Sequence, residues 1–359
     1  MNIEKRMKIY HDLVNLNAVS GFEKSVRKYL KTELSKYADE IVQDRLGSVF
    51  GIKKGAGPTI MIAGHMDEVG AMVIGITQQG FIKMIPIGGV SADVMVSQNV
   101  QVNISEDRVV RGVVGAIPPH ISRGQDQQEK KLSFDDLLLD VGADSEEHAK
   151  EMGIAIGQQI TFVNNYYITE DHKKIVSKAW DNRFGCGMAL EIMKEIQNME
   201  HPNTVICGGT VQEEVGLRGA TTASQMIEPD LFIALDVSPV GDFLSKDHPR
   251  AFGRLGDGFL VRFYDPRNIM NPNLKAYFES LAKKKKIKLQ QFLSMGGTDA
   301  AAAQYAGSGT LATTIGLPGR YIHSTASMIH IDDVEAIKKM LIAIIKDFDY
   351  SRLEALRND

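Results

Sequence analysis

Apolar residues open the chain at roughly helical spacing, at Ile3, Ile9, Leu13, Val14 and Leu16, and Ser20-Gly21 then starts a second helical stretch carrying Val26, Leu30 and Leu34. The pattern next shortens. A strand is expected around 48–52, then the Gly55-Ala56-Gly57-Pro58 turn, then Thr59-Ile60-Met61-Ile62-Ala63-Gly64, an uninterrupted apolar run suited to a sheet strand buried on both faces. From about 71 to 164 short alternating segments such as Val100-Gln101-Val102-Asn103-Ile104 and the run 109–114 are separated by glycine, proline and charge. Period-two alternation of this kind predicts a small β-rich insertion, whose polar stretch 122–131 reads as an exposed loop. After Asn165 helix and strand signals alternate: a helix following Asn182, then strands at 204–211, 231–235 and 311–315. The last helix opens at Asp332-Asp333 and puts Val334, Ile337, Leu341, Ile344 and Phe348 on one stripe. The expected fold is α/β, a three-layer sandwich with a central mixed sheet, formed by 1–70 and 165–359, plus the small β-rich domain inserted at 71–164.

A length of 359 residues fits about two domains with ample core. With 45 acidic and 41 basic side chains, the net charge of -4 provides no field for nucleic acid or an anionic membrane. The basic run Lys283-Lys284-Lys285-Lys286 falls where a helix should end, a position that favours cations, and is expected to be a solvated face. Cys186 and Cys207 are the two cysteines and form no short pair, as suits a reducing compartment. No stretch approaches the ~18 apolar residues of a membrane helix, and the charged N-terminal segment does not read as a leader, so a cytoplasmic protein with a peptide or small-molecule partner is expected.

In open α/β sheets ligands bind beyond the carboxyl ends of the strands. The run 59–64 leads to His65-Met66-Asp67, the run 204–211 to Gln212-Glu213-Glu214, the run 231–235 to Asp236, and the strand near Ile315 leads through Gly316 and Gly319 to Tyr321-Ile322-His323. Imidazole with carboxylate suits zinc, cobalt or manganese better than calcium or magnesium. Two histidines with three or four carboxylates exceed the usual set for a single catalytic zinc, whereas one shared carboxylate would hold two ions. Each residue also has a plainer reading. His65 alone fits a structural histidine, although Asp67 two residues on is placed to orient a ligating ring. Glu213-Glu214 fits an exposed loop pair, and Asp181 fits the N-cap of the following helix.

The motifs Gly64-His65-Met66-Asp67-Glu68-Val69-Gly70, Lys178-Ala179-Trp180-Asp181-Asn182-Arg183, Val211-Gln212-Glu213-Glu214-Val215-Gly216-Leu217-Arg218-Gly219-Ala220 and Arg320-Tyr321-Ile322-His323-Ser324 together resemble the tetrahedral aminopeptidase family, in particular its bacterial glutamyl aminopeptidase branch. The likeness runs through nearly the whole chain, including Ala234-Leu235-Asp236, Arg262-Phe263-Tyr264-Asp265-Pro266 and Gly296-Gly297-Thr298-Asp299-Ala300. It implies a metal-dependent aminopeptidase with two divalent ions, zinc or cobalt. Asp181 would bridge them, His65 and Asp236 would complete one site, Glu214 and His323 the other, with Glu213 as general base and Asp67 orienting His65. It further implies that 71–164 is a dimerisation domain and that dimers assemble into a tetrahedral dodecamer. Where relatives in that family often carry His-Gln after His-Ser, this chain has Thr325-Ala326, which implies a different rim contact with the ligand kept.

A preference for N-terminal Glu or Asp would need a cation in the pocket, for which Arg254, Arg262, Arg267 and Arg320 are candidates because a guanidinium matches a carboxylate with two parallel donors. Gly297 and Thr298 are candidates for the same pocket. A broad or leucyl-type aminopeptidase, a two-metal carboxypeptidase or deacylase, and a non-enzymatic scaffold are the other readings, the last disfavoured because all six chemical residues are present.

Overall fold

The computed structural model describes residues 3–116, 132–244 and 252–357; the loop expected at 122–131 lies outside them. Its largest element is a mixed sheet in the order Glu40–Gln43, Val49–Lys53, Thr204–Thr210, Thr59–His65, Leu231–Pro239, Leu311–Arg320, Ser327–His330, Lys174–Ser177 and Tyr167–Ile168. Thr59–His65 is flanked by two parallel neighbours, and Leu231–Pro239 runs parallel to Leu311–Arg320. The strand Phe259–Asp265 branches off Leu311–Arg320.

Alternate residues of these strands enter two different cores, which is what an uninterrupted apolar run predicts. Ile60, Ile62, Val205, Cys207, Leu231, Ile233 and Leu235 pack beneath helices Lys8–Val14, Lys24–Leu34, Trp180–Ile196 and Ile331–Asp347. Met61, Ala63, Ile206, Phe232 and Ala234 face the other way, with Ala223 and Ala300 from helices Arg218–Ile227 and Asp299–Ala303. Helices on both faces make the three-layer sandwich. Two strands are longer than the apolar runs suggest, because pairing between them continues to Pro239 opposite Gly319. Asp236 therefore lies within a strand instead of past its end, and His65 is the last residue of its strand, opposite Thr210.

The insertion is a closed barrel in the order Gly70–Ile76, Ile82–Ile87, Leu138–Asp140, Val109–Gly115, Asn99–Asn103, Gln159–Phe162. It has its own core, centred on Val73, Ile82, Met84, Val100, Val102, Leu139, Ile160 and Phe162. Only residues 66–69 separate the strand ending at His65 from the barrel strand beginning at Gly70, so the barrel stands beside the carboxyl end of the sheet. The helix Pro272–Lys285 ends in the exposed basic run, with Lys286 in the left-handed region, as the sequence suggests. Among the described residues, no helix is long and apolar enough to cross a membrane.

Candidate metal centre and substrate cleft

Three strand ends, one strand interior and one helix start deliver their polar residues to one place. His65 Nε2 lies 3.0 Å from Asp181 Oδ1, 3.8 Å from Glu213 Oε2 and 4.0 Å from Asp236 Oδ1. His323 Nε2 lies 3.3 Å from Asp181 Oδ2 and 3.5 Å from Glu214 Oε1. Each oxygen of Asp181 thus faces a different imidazole. Asp181 does not cap the helix that follows: its backbone is non-helical, and the side chain that accepts from the first turn is Asn182, whose Oδ1 takes the Gly185 amide at 2.9 Å while its Nδ2 donates to Leu235 O. Asp181 is left free to turn into the cleft.

Both imidazoles are oriented by carbonyl oxygens. His65 Nδ1 is 3.1 Å from Asp67 O and 3.4 Å from Asp67 Oδ1, and His323 Nδ1 is 3.1 Å from Gly89 O. A carbonyl can only accept, so Nδ1 carries the proton and Nε2 is turned toward the carboxylates. Asp67 does more than its spacing suggested. Fully buried, it accepts from Ser20 Oγ at 2.6 Å and from the Glu213 and Glu214 amides at 3.1 Å each. The preceding amide, Gln212 N, is taken at 3.1 Å by the buried carboxylate of Glu23. Three successive amides are therefore held by two acids from other parts of the chain. Sequence reasoning missed Ser20, Glu23 and Gly89. Ser20-Gly21 carried only a helix-start signal, and nothing local to Glu23 or Gly89 points to position 212 or 323.

The strand-to-loop transitions are tightly wound. Ala179, Gln212, Leu217, Tyr321 and His323 all take left-handed φ angles between 53 and 59°, a region costly for residues with a Cβ and kept where surrounding structure dictates it. Burial behind this frame sets the charges. It pushes the carboxyl of Glu214 up to about 8 and that of Asp236 to about 7, with the nearby charge of Asp181 adding to both. Glu213 is raised well above the usual range by burial and by Asp236, Asp299 and Glu214. Burial opposes charge on His323, but Asp181 and Glu214 outweigh it and hold the ring at about 10. Acids crowded out of water in this way are relieved by a cation.

The residues fit a metal. One donor atom each from His65, Asp181 and Glu214 lies within 4.8 Å of the others. Glu214 Oε1 is buried without a hydrogen bond and faces the His323 ring at 3.5 Å, a pairing that a shared cation would complete. Imidazole and carboxylate donors together suit a divalent transition ion.

These groups line a cleft of about 1080 Å³. Its other walls are largely apolar, among them Val240, Phe252, Phe292 and Leu293, and among the described residues Arg262 and Arg267 are its guanidinium groups. Arg262 is buried and fixed, donating to Ser238 Oγ at 2.9 Å and Gly296 O at 3.2 Å, while Arg267 is exposed and its side chain lies against Gly297. Gly297 lines the cleft. The remaining candidates stand elsewhere. Arg320 is held by both oxygens of Asp242, Arg254 is exposed and does not line the cleft, and Thr298 is buried against Thr314.

A mixed sheet that brings imidazoles and carboxylates into one cleft fits a metal-dependent enzyme. The model of the M42 glutamyl aminopeptidase family matches residues 47–340. The chain belongs to that family, and it is a metallo-aminopeptidase. It is 38% identical over 349 residues to the glutamyl aminopeptidase of Lactococcus lactis subsp. cremoris, covering 96% of this chain and 97% of that protein. It is 33% identical to the lysyl aminopeptidase of Pyrococcus furiosus, covering 93% and 95%. Among solved structures it is similar to the TET aminopeptidase of a marine sediment Thaumarchaeota archaeon, with a TM-score of 0.93, 35% identity and coverage of 98% and 99%. It is also similar to the Pyrococcus horikoshii TET1 peptidase, which can assemble into a tetrahedron or a large octahedral shell, with a TM-score of 0.84, 27% identity and coverage of 95% and 99%.

Proposed function

We propose that this aminopeptidase holds two divalent ions, zinc or cobalt, and prefers peptides beginning with Glu or Asp. The observation that carries the two-ion reading is the placement of Asp181, with one oxygen toward His65 and the other toward His323. Asp181 would be the shared ligand, His65 and Asp236 would hold one ion, and Glu214 and His323 the other. Ions bound there supply Lewis acidity to the scissile carbonyl and lower the pKa of a water toward ~7. Glu213 is partly buried beside His65, with its amide fixed by Asp67, where it takes the proton from the attacking water and returns it to the departing amine. Asp67 orients His65 and positions the Glu213-Glu214 pair.

The acidic preference rests on Arg262, a buried and immobilised cation on the wall of the same cleft, with Arg267 at its edge. The lysyl preference named for the Pyrococcus furiosus relative means that family membership alone does not set the first residue cleaved. Initial rates on chromogenic substrates bearing Glu, Asp, Leu, Lys and N-acetyl-Leu test the reading. Faster turnover of Glu and Asp, reduced in Arg262→Met, supports it; preference for Leu removes the acidic pocket and leaves the hydrolase, and cleavage of the acetylated substrate alone defeats the aminopeptidase assignment.

We also propose that the chain is cytoplasmic, that residues 71–164 form a dimerisation domain on a catalytic domain of 1–70 and 165–359, and that dimers assemble into a tetrahedral dodecamer. The support is the likeness to the TET1 peptidase and the apolar side chains the barrel leaves exposed, Ile74, Ile85, Val109, Val113 and Ile156. Native mass spectrometry reporting a lone chain or dimer as the final state would count against the dodecamer.

A further inference from the structure

The loop bearing His323 reaches from the sheet to the barrel and is tied there twice. His323 Nδ1 donates to the carbonyl of Gly89, which lies between barrel strand Ile82–Ile87 and helix Ala92–Met95. Two residues on, Thr325 Oγ1 donates to Oε1 of Gln98 at 3.0 Å, and Gln98 directly precedes barrel strand Asn99–Asn103. The fit at this seam is close: a Cβ on Gly88 would sit 3.1 Å from the Glu214 carboxylate, and one on Gly89 3.1 Å from the His323 ring. Within the loop itself the side-chain bonds are short-range, from Ser324 Oγ to Tyr321 O and from the Ala326 amide to Ser324 Oγ. Tyr321 is half exposed, and both Tyr321 and His323 hold left-handed backbones. Such a segment has little of its own to keep the imidazole on target.

We propose that the barrel is a working part of the metal centre, and that the Thr325–Gln98 hydrogen bond, together with the Gly89 carbonyl, positions His323 for the ion it shares with Glu214. This rests on the two-ion reading above. Thr325 and Gln98 are positioning residues: neither reaches the cleft, and they act by narrowing the range of ring positions that His323 samples. Outer partners of a ligand typically matter by about 10- to 100-fold in affinity, and a tether one step further out is expected near the lower end. The effect should fall on one ion, since His65 and Asp236 are anchored in sheet strands that the barrel does not touch through this loop.

The test is titration of the chelator-stripped full chain with cobalt(II), followed by visible absorption and calorimetry, for the wild type, Thr325→Val, Thr325→Ser and Gln98→Leu. Two ions per wild-type chain are expected, with one weakened about tenfold in Thr325→Val and in Gln98→Leu, the other unchanged, and near wild-type binding in Thr325→Ser, which keeps the hydroxyl. A wild type taking a single ion overturns the two-ion reading and this inference with it. Two ions bound as tightly by Thr325→Val and Gln98→Leu as by the wild type overturn the tether alone. So does equal weakening of both ions, or a Thr325→Ser as weak as the valine variant, since either would mean a general disturbance of the loop.

Discussion

Strand Leu231–Pro239 of the main sheet is buried at eight of its nine positions, whereas barrel strand Val109–Gly115 is buried at one of seven. The first has helices over both faces, and the second has a core on one side only. Where both faces are covered, an acid carried within a strand or just past its end loses hydration; this is why Glu214 and Asp236 are shifted upward and why a cation suits them. Among its described residues the barrel contributes no acid or imidazole to the cleft. What it lends is neutral and geometric, a backbone carbonyl at Gly89 and an amide oxygen at Gln98.

Glu213→Gln should separate the two regions most sharply. It keeps the shape of the site and removes the base, so kcat should fall by roughly 10²–10⁴-fold with metal content unchanged and the barrel unaffected; initial rates alongside metal analysis check this, and near wild-type turnover would sink the role of Glu213. Leu139→Ala empties space in the barrel core and should cost about 2–5 kcal/mol there. Hydrogen exchange should then speed up in Asn99–Asn103 and Val109–Gly115 while Thr59–His65 stays protected. Equal loss in both regions would mean that the two cores unfold as one.

Stripping the metal should act in the opposite sense, lowering protection around His65 and Asp236 first. Returning an ion at 100 times its dissociation constant should restore about 2.7 kcal/mol in denaturant titrations, and a melting curve indifferent to chelator would contradict a native metal centre. Asp67→Asn keeps one oxygen but turns an amide NH2 toward one of the Glu213 and Glu214 amides, where an acceptor is needed. Metal affinity or turnover should drop by about 10- to 100-fold, and wild-type values for both would deny Asp67 its positioning role. The smallest effect is expected for Arg320→Gln. Its partly exposed pair with Asp242 should be worth under about 1 kcal/mol, and the Glu-to-Leu rate ratio should not move. A collapse of that ratio would return Arg320 to the substrate pocket.

Much of this was legible in the chain itself. The apolar runs ending at His65 and Val211, and the one leading to Asp236, marked the sheet, its buried strands and the end at which ligands gather, because a strand buried on both faces must be apolar throughout and an acid after it is out of place as surface. The alternating segments between 71 and 164 marked a one-sided β structure for the same reason. The order of motifs was enough to suggest the family, and it singled out His65, Asp181, Glu214, Asp236 and His323, which the fold brings together.

Tertiary structure alone decided what lay between distant segments. Which of four arginines faces the cleft depends on the branch strand Phe259–Asp265 and on Asp242 neutralising Arg320; neither leaves a periodic trace. The same holds for Glu23 on the Gln212 amide, 189 residues away, and for Gly89 on His323, 234 residues away. Hydrophobic pattern is written in neighbouring residues because burial is a property of a whole face, whereas a hydrogen bond joins two atoms whose meeting depends on every turn of chain between them.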